Sequence, residues 1–210
     1  FYIESIAEYV QDVATVVSLA KLRNPGLPAF LLGHSAGGVT SCLYVLEHQA
    51  ELAGFICESY ALGVFAPDFA LAALKGLSHV APHLHVLDLK NKLFSRDPAV
   101  VEALDNDPLI PQMNYPTDTV AALVRATERI KAEFSSITLP VLIVHGTEDK
   151  LTEPAKSQLF YDQTGSQDKT LKLYEGHFHD LLTDLGKERP IADMIEWVEA
   201  RVGAAPVVSP

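Results

Sequence analysis

Three short stretches hold residue types that could share one reaction. "GHSAG" at 33 to 37 sets Ser35 between small residues, "HGTEDKLTE" at 145 to 153 carries Glu148, Asp149 and Glu153, and "YEGHFHDL" at 174 to 181 carries His177 and His179. A serine hydroxyl is a weak nucleophile until a base takes its proton and a third group orients that base. Serine, carboxylate and imidazole in this chain order supply that set. G-x-S-x-G gains physical meaning when a strand precedes it and a helix follows, because the sharp bend between them lifts the serine oxygen clear of the sheet. Here "PAFLLG" reads as a buried strand and "AGGVTSCLYVLEHQ" as a helix. Gly33 and Gly37 are small enough for a crowded bend, and the Ala36 N–H can face a developing oxyanion. On residue types alone the acid is one of three carboxylates and the base one of two histidines.

Those groups need a scaffold, and the hydrophobic pattern supplies one. Residues 3 to 22 carry apolar side chains at helical spacing, with acids early and Lys21 and Arg23 late, and "NPG" at 24 to 26 ends the helix. "LAGFICESYAL", "LPVLIVHG" and "TLKLYEG" read as three further strands, with a helix from about Ala155 and a closing helix from about Pro190. Strands alternating with helices imply a parallel sheet covered on both faces, with the candidate residues on loops at the strands' C-terminal ends. Residues 63 to 135 interrupt this alternation, with a helical pattern broken by prolines at 67, 82, 98, 108, 111 and 116. A structureless loop of that length is implausible, so we expect an inserted helical cap between two core portions, 1–62 and 136–210.

Composition narrows the partners. The 210 residues carry a formal net charge of −11, which argues against nucleic acid, since phosphate binding needs clustered Lys and Arg. No run approaches the ~18–20 apolar residues of a membrane-spanning helix. Cys42 and Cys57 lack metal or redox spacing and read as buried free thiols. His83 and His85 have no evident third ligand, so they read as ordinary histidines. Gly33, Gly37 and Gly38 are not a phosphate loop, because no Lys-Ser or Lys-Thr follows them.

"LLGHSAGG", "FSRDPAVVEALDNDPL", "LPVLIVHGTEDKLT" and "YEGHFHDLL", in this order, resemble the α/β-hydrolase superfamily, and within it the monoacylglycerol lipase and lysophospholipase-like branch. The resemblance implies a Ser35–Asp149–His179 triad, leaving Glu148 and Glu153 as loop residues and His177 as a neighbour of the base. It implies that His34 supports the elbow, that no cofactor or metal is needed, and that a monoacyl-lipid or similar small ester is the substrate. Cap residues such as Phe65, Phe69, Leu71, Leu74, Leu77 and Leu84 fit an acyl pocket or simple cap core. The resembled fold has eight strands, with the nucleophile after the fifth. Four are legible here. We therefore expect a C-terminal portion, with Phe30, Leu31 and Leu32 on a bare sheet edge. A companion N-terminal segment would complete the sheet and give the second oxyanion donor.

Overall fold

A computed structural model describes residues 2–3, 5–61, 68–110 and 114–202. The chain opens with α1 (Ile6–Arg23), capped by the Ser5 hydroxyl and closed at Asn24. β1 (Phe30–His34) runs straight into α2 (Ser35–His48), and β2 (Gly54–Glu58) follows. Then come α3 (Asp68–Ser78), β3 (His85–Asp88), α4 (Pro98–Asn106), β4 (Asn114–Pro116) and α5 (Thr117–Glu133). β5 (Val141–Gly146), α6 (Pro154–Gln163), β6 (Lys169–Tyr174) and α7 (Glu188–Val202) complete it. α7 begins two residues before the expected Pro190, which still lies in its first turn.

β1, β2, β5 and β6 form one parallel sheet in that spatial order. Its two middle strands are buried at every position, which is why "GFICE" and "VLIVHG" read as near-continuous apolar runs. One core lies against α1, α2 and α5, through Val39, Tyr44, Phe55, Ile130 and Ile143 among others. The other lies under α7, around Ile56, Leu142, Met194 and Trp197. α5, inside the segment that interrupts the alternation, thus contributes to the main core. That segment also contains an antiparallel ribbon of β3 with β4 that the proline-broken pattern did not reveal. Phe65 lies outside the described residues, as does the tail at 203–210.

β1 has β2 on one side and, among the described residues, no strand on the other. Its faces are better covered than the sequence suggested. Phe30 meets the Trp197 ring edge-on at 5.9 Å and Leu31 packs on the main core, leaving Leu32 as the exposed member. Beside this free edge, Tyr9, Val13, Val16, Leu32, His34 and Gly37 line a mainly apolar groove between α1 and β1. No helix among the described residues is long and apolar enough to cross a membrane.

Candidate active site

The chain turns from β1 into α2 at a single residue. Ser35 has φ +54°, a left-handed conformation that costs a residue with a Cβ, at the head of a 14-residue helix. Gly33 makes this turn possible, because a Cβ there would lie 2.7 Å from Ser41 Oγ and 2.8 Å from the Gly37 carbonyl. Gly38 is also tight against the Gly33 carbonyl and Tyr60. Gly37 is not: a Cβ there would meet nothing among the described residues, so the crowding expected at Gly37 falls on Gly33 and Gly38 instead. Ala36 occupies the first turn of α2, where N–H groups have no partner within the helix.

A second close approach assembles the acid and the imidazole. β5 ends at Gly146, where any Cβ would fall on the carbonyls of His177 and Phe178, and the Glu148 N–H donates to His177 O at 3.0 Å. The loops after β5 and β6 are thereby pressed together. Asp149 Oδ2 accepts from His179 Nδ1 at 2.7 Å, with both side chains buried. Its Oδ1 takes the N–H groups of Leu151 and Thr152 at 2.7 and 3.0 Å, and the Thr152 hydroxyl donates to Oδ2 at 2.7 Å. Burial opposes the charge on Asp149, but the hydrogen bonds from His145 and His179 outweigh it and hold the carboxyl well below the usual carboxylate range.

Of the sequence candidates, the structure therefore brings Asp149 and His179 into contact. Ser35 is tied to them through its neighbour: the His34 ring lies 4.8 Å from that of His179. No hydrogen bond joins Ser35 to His179, and His179 Nε2 is buried without a partner. His34 is pushed down to about 4 by burial first and the charge of His179 second, so it is neutral near pH 7. Glu148 is exposed and paired with Lys150, while Glu153 precedes α6 and pairs with Lys156. His177 is buried 3.6 Å from Asp184 and held in its neutral form by burial and by Arg96. The Cys42 thiol, buried in α2, is pushed up to about 12 and is no competing nucleophile.

Sequence reasoning missed three supporting groups. His145, the fifth residue of β5, sits fully buried with Nε2 at 3.0 Å from Asp149 Oδ2 and Nδ1 at 2.7 Å from Ser157 Oγ. With Asp149 ionised, Nε2 is the donor to its carboxylate. Arg96 and Asp184 form the second support. Asp184 accepts from Arg96 N at 2.6 Å, Arg96 Nε at 2.8 Å and Phe178 N at 2.9 Å. This clamps the "FSRDP" stretch onto the His179 loop, where the Phe94 ring stands edge-on to His179 at 5.3 Å and its carbonyl takes the Asp180 N–H. Glu58 is the third, accepting the Leu181 N–H at 2.9 Å. The signal for His145 was a histidine one residue before the end of an otherwise apolar strand; the other two had none beyond residue type.

Residues 1–186 match the model of the hydrolase family described as serine aminopeptidase, S33. The chain belongs to that family. Within this S33 hydrolase family it is similar to a monoacylglycerol lipase of Mycolicibacterium smegmatis, at 29% identity over 94% of the chain and 71% of that protein. It is also similar to the human monoglyceride lipase, at 32% identity over 96% and 68% respectively. Among solved structures, the Paleococcus ferrophilus monoacylglycerol lipase superposes with a TM-score of 0.82 at 27% identity, covering 94% of this chain and 76% of that one. The S33 member described here thus has the α/β-hydrolase fold expected from its motifs, with a parallel sheet flanked by helices, and it is an enzyme of the serine hydrolase class.

Proposed function

We propose that this enzyme hydrolyses monoacylglycerol, lysophospholipid or a similar single-acyl ester, with Ser35 as nucleophile, His179 as base and Asp149 as the residue that orients it. The observation that carries this reading is the buried His179. Its Nδ1 is fixed on Asp149 at 2.7 Å, while its Nε2 is out of solvent without a partner, beside the strained elbow of Ser35. Nε2 takes the hydroxyl proton as Ser35 Oγ bonds to the ester carbonyl carbon, and the Ala36 N–H at the helix start faces the oxyanion. The C–O bond to the alcohol then breaks, with the proton passing from His179 to the leaving oxygen. Water, deprotonated by the same nitrogen, releases the acid. The names of the lipase relatives support a monoacyl substrate, and residues 63–135 are read as the cap that shapes the acyl site.

The unpaired edge of β1 and its apolar groove support a companion segment that adds a strand there, bringing the second oxyanion donor. A small-ester esterase is the second reading, favoured by 32% identity to the caffeoylshikimate esterase of Arabidopsis thaliana over 84% of the chain. A fluorophosphonate should label wild-type enzyme stoichiometrically on Ser35, and His179→Ala should not react. Unlabelled wild-type enzyme would sink the catalytic reading. Rates on monoacylglycerols against short p-nitrophenyl esters separate the two substrate classes.

A further inference from the structure

The end of β2 holds a carboxyl group that the proposed triad does not use. Glu58 closes that strand, wholly out of solvent and in register with His34 of β1. Its Oε1 accepts the Leu181 N–H, while Oε2 is buried with no hydrogen-bond partner, as is His34 Nε2. A ring nitrogen of His34 and one carboxylate oxygen each of Glu58 and Asp180 lie within 4.8 Å of one another. Asp180 is the residue directly after His179, and its own Oδ1 takes the Leu182 N–H at 3.2 Å.

Two carboxylates this close, one of them buried, cannot both be ionised without a counter-charge. Burial first and the charge of Asp180 second push the Glu58 carboxyl up to about 8, against the pull of the Leu181 and Leu182 N–H groups. Among the described residues, no lysine or arginine is placed beside it, and the neighbouring His179 is engaged with Asp149. β1 brings His34, neutral near pH 7; β5 brings apolar Val144; and Cys57 and Tyr174 are both held un-ionised, chiefly by burial. No lysine or arginine is among the groups that act on Glu58.

We propose that Glu58 is a positioning residue for His179 that works with its proton in place. One oxygen of the neutral carboxyl accepts from Leu181, and a proton on the unpartnered Oε2 gives it a donor to offer the Asp180 carboxylate nearby, fastening the loop that carries the base to the end of β2. Loss of that proton sets two negative charges against each other. The fastening opens, and the loop that carries the base is no longer held against the end of β2. The inference rests on the reading of His179 as the base.

The test follows fluorophosphonate labelling and kcat/KM from pH 5 to 10 in wild type, Glu58→Gln and Glu58→Ala. Glutamine keeps an acceptor for Leu181 and a donor for Asp180 but cannot ionise. Wild type should lose about tenfold in rate per pH unit above about pH 8, while E58Q holds its rate across the same range. E58A, lacking both contacts, should slow roughly tenfold or more at every pH. Identical alkaline limbs in wild type and E58Q would overturn the proposal. So would an activity that collapses on EDTA treatment in wild type but not in E58Q, since a cation would then be holding the carboxylates. If wild type is unlabelled at every pH, the triad reading fails and Glu58 is judged separately by infrared difference spectra. A protonated carboxyl band present at pH 6, lost by pH 9 and missing in E58Q supports the proton; no such band at pH 6 overturns it.

Discussion

Asp149 and Glu58 are both carboxylates removed from solvent at the C-terminal end of the same parallel sheet, one on the loop after β5 and one closing β2. They titrate in opposite directions. Asp149 receives two imidazoles, a hydroxyl and two backbone N–H groups, and this crowd of donors more than offsets its burial. Glu58 receives backbone N–H groups and faces another carboxylate, so burial prevails. Burial itself is common to both. The donors around each oxygen decide which carboxylate stays charged, and that division suits an orienting anion on one side and a neutral fastener on the other.

The largest test of this contrast removes the charge and keeps the shape. Asp149→Asn should lower kcat by about 10⁴-fold with little change in KM, because the amide no longer orients the imidazole or stabilises its charged form. Less than a tenfold fall would break the assignment of Asp149 as the orienting anion. Next is the donor that the sequence hid. His145→Ala strips one hydrogen bond from Asp149 and leaves the Ser157 hydroxyl unpaired in a dry site, at a cost of roughly 1–3 kcal/mol. We expect a kcat fall of about 10- to 100-fold, accompanied by a lowered Tm. If Tm drops while kcat stays within about twofold, His145 supports the fold alone and the charge on Asp149 does not need it.

The same contrast explains what could be read in advance. Ser35, Asp149 and His179 could be singled out as candidates because their residue types stand just past the ends of strands, and the apolar runs of β2 and β5 marked two of those strands plainly. Glu58 was not, since one acid at the end of "GFICE" looks the same whether it points to water or to a loop more than a hundred residues away. His145 was hidden for the same reason, inside a strand whose every position is buried. The β3–β4 pairing joins residues 85–88 to 114–116 across an intervening helix, so no local pattern announces it. Gly37 misled in the other direction. Its place in G-x-S-x-G suggested crowding, whereas the tight contacts belong to Gly33 and Gly38.

The contrast reaches stability as well, and linkage fixes its sign. In the unfolded chain Glu58 ionises near its ordinary value of 4.5; in the folded protein it does so at about 8. Between those pH values the unfolded chain has released a proton that the native state still holds, so native stability falls as pH rises across the window and is level outside it. Glu58→Gln carries no such dependence. The shift is worth roughly 5 kcal/mol, so the Tm of E58Q should draw ahead of wild type by roughly 10–20 °C as pH climbs from 4.5 to 8, with the gap constant beyond. Thermal melts at half-unit intervals measure it. A gap that stays flat from pH 4.5 to 8 would mean that Glu58 ionises normally in the folded state, and that the two carboxylates at this end of the sheet differ less than their surroundings indicate.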